Sequence, residues 1–255
     1  MISKNQIKQI QTLHLKKNRD AAKLFLVEGI KTIKELLQQK AEIVQELFVT
    51  NAFIENNLSL IKSNKISFTE ITETELKKIS IQTSPNNALA ICSFFDEPLP
   101  AFNSDSSFSF YLDDIRDPGN FGTIIRLADW YGIPAIFCSD SSCDLYNPKV
   151  IQASMGAFLR VKVTYSPLEN IIKNFSIKNI YGAVLNGNNI YKEKLKNGLV
   201  VIGNEANGIS AENLQLISGS ITIPSQHSSG TESLNAAMAT SIIASEFFRQ
   251  TKIVQ

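Results

Sequence analysis

Three polar, glycine-bearing loops hold the residue types in this chain best suited to chemistry. Residues 112–126 read Leu-Asp-Asp-Ile-Arg-Asp-Pro-Gly-Asn-Phe-Gly-Thr-Ile-Ile-Arg. A strand ends there in an acidic turn, Pro118 and Gly119 break the chain, and Asn120 stands where it could cap the next helix. Arg126 follows six residues later, pointing from the first two turns of that helix. Residues 199–210 read Leu-Val-Val-Ile-Gly-Asn-Glu-Ala-Asn-Gly-Ile-Ser, a buried strand opening into a tight turn. Glu205 sits at its mouth beside Gly203 and Gly208, and glycine lets a ligand approach main chain closely. The third loop follows Ile223-Pro224, runs through polar residues 225–231, and ends at Ser233-Leu234-Asn235 where the last helix opens. Main-chain N–H groups and hydroxyls at a helix start can hold an anion or a polar ligand group. Each loop taken singly also reads as an ordinary capped helix or solvated turn.

The elements that must position these loops alternate. Strand-like runs at 108–112, 134–138, 180–185, 199–202 and 220–223 are interleaved with helical patterns at 121–131 and 148–155. The last helix, about 232–248, carries Leu234, Ala237, Met238, Ser241, Ile242 and Ser245 as one stripe. Such alternation implies a mostly parallel sheet with helices on both faces. Ligands in these sheets bind outside the carboxyl ends of strands, which selects the loops after Leu112, Leu185, Ile202 and Ile223. Ahead of this lies a smaller α/β unit. Its helices are expected at 5–17 and 20–39, the second from Leu24, Ile30, Ile33 and Leu37 at helical spacing. Strands are expected at 46–50 and 65–69, a short helix at 72–79 and an apolar strand at 88–95. Residues 96–107, with two prolines and a run of polar residues, read as a linker. The organisation expected is therefore a domain at 1–98, a linker at 99–107 and a larger domain at 108–255.

Composition narrows the classes. The chain has 255 residues, 44% of them hydrophobic, and its 12 glycines and 8 prolines exclude a collagen-like or wholly disordered chain. No apolar run approaches the roughly 20 residues of a membrane-spanning helix. The first 20 residues lack the apolar core of a secretory signal. Cys92, Cys138 and Cys143 are too few and too irregular for a disulfide framework or a zinc site, and no metal-ligand cluster is visible. A soluble cytoplasmic protein is expected, without membrane or metal. Net charge is +1, yet residues 1–40 hold nine Lys or Arg against three acids, while residues 101–255 hold 12 bases against 13 acids. That basic arm suits phosphate-backbone attraction, or is simply a solvated helix face.

Asn120-x-Gly122-x-x-x-Arg126, then Gly203-Asn204-Glu205-x-x-Gly208, then Ile223-Pro224 with Ser233-Leu234-Asn235, resemble the three signature motifs of the SpoU (TrmH-like) RNA 2′-O-ribose methyltransferases. The resemblance spans about residues 108–250. Asn18-Arg19 with Phe25-Leu26-Val27-Glu28-Gly29 is similar to that family's substrate-binding domain. The resemblance implies an α/β catalytic domain tied in a deep trefoil knot, and a pocket for S-adenosylmethionine formed by the knot's loops. Leu185, Asn186, Gly187, Gly203, Ile223 and Leu234 fall where the family holds this cofactor, largely by main chain. No Gly-x-Gly-x-x-Gly follows the first strand, in keeping with a cofactor site that is not of the ordinary dinucleotide type. By the same resemblance Arg126 contacts the ribose 2′-hydroxyl or its neighbouring phosphate, as proton acceptor's aid or as clamp. Asn120 orients the ribose or Arg126, Glu205 and Asn235 shape the site, and Ser233 supports the helix cap. The implied partner is RNA, ribosomal rather than transfer RNA, and the implied assembly a homodimer, for which Trp130, Tyr131, Phe247 and Phe248 are either interface or core. Competing readings are a non-catalytic RNA-binding member of the fold, and a methyltransferase for a small molecule or protein.

Overall fold

The computed structural model describes residues 2–96, 98–225 and 233–251. It divides into two units, Met1–Pro98 with Asp144–Leu159, and Leu99–Cys143 with Arg160–Gln255.

In the first unit Ser3 and Gln6 form a capping box that opens α1 (Lys4–Thr12). A turn then leads to α2 (Lys16–Ala22), which Lys23 ends in the left-handed conformation at φ 55°. The helix expected over 20–39 is not continuous. Leu24–Glu28 is strand β1, and Gly29 at φ 95° turns the chain into α3 (Ile30–Gln39). The reason lies in Phe25-Leu26-Val27, three consecutive residues that are all fully buried, a demand a two-faced covered strand meets and a one-stripe helix does not. There follow β2 (Val44–Val49), α4 (Asn51–Ser63), β3 (Phe68–Glu70), α5 (Glu73–Ile79) and β4 (Ala88–Ser93). The sheet order is β1-β4-β2-β3, with β4 antiparallel to both β1 and β2. Sequence periodicity missed α4, whose polar asparagines interrupt its apolar stripe.

The second unit holds β5 (Phe108–Leu112), α6 (Pro118–Trp130) and β6 (Ala135–Cys138). The next helix in the chain, α7 (Pro148–Ser154), belongs to the first unit. The second then continues with β7 (Lys162–Tyr165), α8 (Leu168–Asn174), β8 (Ile180–Asn189), β9 (Gly198–Ile202), α9 (Ala211–Leu214), β10 (Gly219–Thr222) and α10 (Ala236–Thr251). Its six strands are parallel throughout, in the order β10-β8-β9-β5-β6-β7. Helices cover both faces. Phe247 of α10 packs on Phe108, at 5.2 Å between rings, while Leu168 and Ile171 of α8 join Tyr111 and Phe137 on the opposite side. Phe102, within the expected linker, is buried edge-on to Phe137 and Phe175 and so is core rather than free chain. Among the four aromatics expected at an interface or in the core, Phe247 is fully buried, Phe248 packs on Tyr131, and Trp130 is 83% exposed.

Asp144–Leu159 packs within the first unit through aromatic and ionic contacts that lie far apart in sequence. Tyr146 stacks on Phe94 at 3.8 Å and its hydroxyl accepts the Phe95 N–H, while Phe158 meets Phe25 edge-on. Arg19, read from the sequence as part of a basic arm, is only 2% exposed. Its guanidinium donates to the carbonyls of Leu13 and His14, each at 2.9 Å, and to the Asp144 carboxylate at 2.6 Å. Removing one partner of a buried pair strands the other, so Arg19→Met is expected to cost about 3–5 kcal/mol in urea unfolding. Glu28 offers a second test. Ser80 and the Ile81 N–H donate to its carboxylate, yet burial outweighs them and pushes the carboxyl above its usual range. A carboxyl raised by folding costs stability where it is charged and relieves that cost as it protonates. Glu28→Gln is therefore expected to raise the urea midpoint at pH 7, and its advantage to shrink as the pH falls through the wild-type carboxyl's titration.

Candidate active site

The site begins at the start of α6. Its N-cap is Asp117 rather than Asn120: the Asp117 carboxylate accepts the Asn120 N–H at 2.7 Å, with Pro118 at the first helical position. That frees the Asn120 carboxamide for longer-range work. Its Nδ2 donates to Glu205 Oε1 at 2.6 Å, and its Oδ1 accepts Asn235 Nδ2 at 2.9 Å. Asn235 spends its own oxygen on the N–H groups of Ala237 and Met238, capping α10. Three residues singled out from sequence, on three separate loops, thus form one hydrogen-bonded chain. Ser233 lies two residues before that cap, exposed.

Glu205 is held on a closed turn. Asn204 and Gly208 exchange main-chain hydrogen bonds at 2.9 and 3.0 Å, and Gly208 takes φ 68°. A side chain on Gly203 would collide with the Gly208 carbonyl carbon and the Ile209 nitrogen, so only glycine lets the strand enter this turn undistorted. Asn204 belongs to the second motif but was given no role from sequence; its amide works at both ends. Oδ1 accepts the N–H groups of Ala206 and Asn207, and Nδ2 donates to the Asp114 carbonyl at 2.9 Å. The visible signal was an asparagine two residues before the turn's far side, the pattern of an Asx turn. Nearby, the buried Asp113 carboxylate accepts the Ser210 N–H at 2.7 Å. Burial first, with the Asp113 charge next, pushes the Tyr111 phenol up, so it remains a neutral donor to the Ser166 carbonyl.

Arg126 is not drawn into this chain. Six residues along a helix turn it about 240° from Asn120. It is exposed and makes no hydrogen bond or ion pair among the described residues. Trp130, one turn further, shares its face.

Of the residues expected at the cofactor, Leu185, Asn186 and Gly187 lie on β8, Gly203 and Ile223 directly follow β9 and β10, and Leu234 stands two residues before α10. The β8–β10 pairing skips from Ser220↔Gly182 to Ile221↔Asn188, so residues 183–187 carry no partner on β10. Thr222 Oγ1 donates to the Leu185 carbonyl at 3.0 Å, bringing that bulge beside Ile223. A Cβ on Gly187 would lie 2.7 Å from the Ile221 carbonyl carbon. Leu185 and Leu234 are 68% and 46% exposed, Ile223 and Gly203 are half-buried, and Asn186 is exposed. Uncovered main chain beside unsatisfied apolar surface fits a ligand with a flat polar-edged ring and an apolar chain. No group of three His, Cys, Asp or Glu that could hold a metal occurs among the described residues.

Residues 107–245 match the model of the SpoU rRNA methylase family. The chain belongs to that family. SpoU methylases are S-adenosylmethionine-dependent RNA methyltransferases, and this chain is accordingly an enzyme. Residues 4–90 match an MRM3-like substrate-binding domain. The chain is 28% identical over 251 residues to 23S rRNA (guanosine(2553)-2′-O)-methyltransferase RlmP of Bacillus subtilis, covering 94% of this chain and 95% of the relative. Among solved structures, a TrmH-family protein of Porphyromonas gingivalis is 35% identical with a TM-score of 0.81, covering 97% of this chain and 98% of that one. An AdoMet-bound rRNA methyltransferase of Sinorhizobium meliloti is 26% identical with a TM-score of 0.83, covering 98% and 96%.

Gly203 gives the SpoU site a direct test. Forcing a methyl group into that turn costs about 1–3 kcal/mol of main-chain displacement. Gly203→Ala is expected to weaken S-adenosylmethionine binding about 10- to 100-fold by calorimetry, with the circular dichroism spectrum unchanged.

Proposed function

We propose that this SpoU methylase transfers a methyl group to a ribose 2′-hydroxyl of large-subunit ribosomal RNA, with the Asn235–Asn120–Glu205 chain as the floor of its active site. The observation that carries the reading is the convergence of those three side chains from three loops. The bound donor supplies a methyl group already activated on a sulfonium. What the chain must add is position and the removal of a proton from a weakly acidic hydroxyl. Glu205 has one carboxylate oxygen committed to Asn120, and its other makes no hydrogen bond among the described residues, leaving an acceptor at the site. The exposed Arg126 guanidinium is open to the ribose phosphate or the developing alkoxide. Leu185, Asn186, Gly187, Gly203, Ile223 and Leu234 hold the donor mainly by main chain, and Ser233 lines the approach to the α10 cap.

The remaining parts follow the same reading. The first unit binds RNA, supported by its exposed Lys4, Lys8, Lys17, Lys23, Lys31 and Lys34. The chain is tied in a trefoil knot. Support comes from its return from β10, at the sheet's edge beyond β8, to the loop after the central β5, where Asn235 bonds Asn120. The enzyme is a cytoplasmic homodimer, and exposed Trp130 and Met238 on the packed pair α6 and α10 supply apolar area for the second copy.

Ribose-methylation maps of total RNA from cells with and without the protein test the reaction. One 2′-O-methyl position in large-subunit ribosomal RNA is expected to disappear. A change confined to transfer RNA overturns the substrate, and no change in any RNA overturns the reaction. Arg126→Ala is expected to lower turnover about 10²-fold or more, the scale of losing one transition-state partner, with donor affinity intact.

A further inference from the structure

The three-loop site contains a second link that the catalytic side chains do not supply. Glu205 is exposed at the tip of a five-residue turn, and among the described residues its side chain makes one hydrogen bond, to the half-buried Asn120, which leaves such a tip poorly fixed. Behind it, Asn204 Nδ2 reaches across to the first loop, donating to the Asp114 carbonyl at 2.9 Å and lying 3.3 Å from Asp114 Oδ2. Asp114 is itself held on every side. Its φ of 60° is left-handed, a conformation that asparagine and aspartate tolerate better than other residues with a side chain. Its N–H donates to Ser139 Oγ at 2.9 Å, and Arg116 Nε donates to its Oδ1 at 2.8 Å. Ser142 secures the same loop by accepting the Ile115 N–H and donating to the Leu112 carbonyl.

We infer that Asn204 is a positioning residue, latching the Glu205 turn to the strained Asp114 so that Glu205 stays in register with Asn120. The inference rests on catalysis at Glu205 as read above. One half of the Asn204 amide shapes its own turn and the other sets that turn's distance from the Asp114 loop that leads into α6. A displacement of about 1 Å at a catalytic group costs up to 10²-fold in rate.

The test replaces Asn204 in the full-length chain. Asn204→Asp keeps the acceptor that shapes the turn and loses the donor that crosses to Asp114. The charged groups near it are Asp113, Asp114 and Arg116 on the first loop and Glu205 on its own. At pH 8 kcat on the methylated RNA is expected to fall about tenfold or more, with KM for the donor within about twofold of wild type. The ratio of variant to wild-type kcat is expected to climb as the pH is lowered, since the introduced carboxyl donates once protonated. Adding Asp114→Asn returns a donor from the opposite side, and is expected to restore kcat and flatten that pH dependence. Where Asn204→Asp unfolds by circular dichroism, Asn204→Ser serves instead. It keeps a turn-forming acceptor but lacks the reach, and the same kcat loss is expected without the pH response. Wild-type kcat in either single variant overturns the latch. So does a loss in Asn204→Asp that neither low pH nor Asp114→Asn repairs. A wild-type enzyme that methylates no ribose overturns the underlying reading, an outcome distinct from both.

Discussion

The carboxamide of Asn120 is the constraint on which the rest of the site depends. An amide has one donating and one accepting end, and its usefulness lies in which faces where. Here the direction is set from outside. Asn235 must give its oxygen to the first N–H groups of α10, which leaves only its nitrogen for Asn120. Asn120 must then present its oxygen to Asn235 and its nitrogen to Glu205. A helix cap thereby dictates the polarity of the whole chain, and its last member, a carboxylate, receives a charge-assisted bond.

That arrangement needs three loops brought level, and the parallel sheet does this. Leu112 pairs with both Ile202 and Cys138, so β5, β6 and β9 finish at one height, and β8 draws level at Ala183 before running on to Asn189. Gly203 and Gly187 then allow main chain to pass main chain where a β-carbon would block it. Positioning is thus a property of the strand register, and the polar side chains only refine it.

Strands β5, β6 and β9 were legible because each is buried on both faces and bounded by Pro, Gly or polar turns, whereas β7, half-buried throughout, offered no apolar run to read. Within the first unit the same kind of evenly buried run, Phe25-Leu26-Val27, fell in phase with Ile30 and Ile33 and mimicked a helix. Local pattern carries no measure of what will lie on the second face. From sequence, residues 144–159 fell in the 108–255 domain, whereas the structure groups Asp144–Leu159 with the first unit, since Tyr146, Phe158 and the Arg19 partner Asp144 find their contacts only through folding at long range. Asn120, Glu205 and Asn235 were visible as types at the right strand ends, but their mutual bonding was not. Asp117 and Asn120 are both competent caps three residues apart, and the choice between them depends on Pro118 and on the distant Glu205. Arg19 misled through charge alone: a cation counted as surface is in fact buried structure.

The unpaired bulge of β8 carries a consequence for how this protein tolerates change. Residues 183–187 leave peptide groups outside the β10 ladder, and every amino acid but proline supplies the same N–H and C=O. Most substitutions at Leu185 and Asn186 keep the main-chain groups presented there, whereas proline removes an N–H and a β-carbon at Gly187 collides with the Ile221 main chain. A recognition surface written in backbone is robust to most point mutations and nearly silent to alanine scanning. It is also beyond repair by side-chain swaps, because it can be retuned only by shifting the register of the strand that carries it.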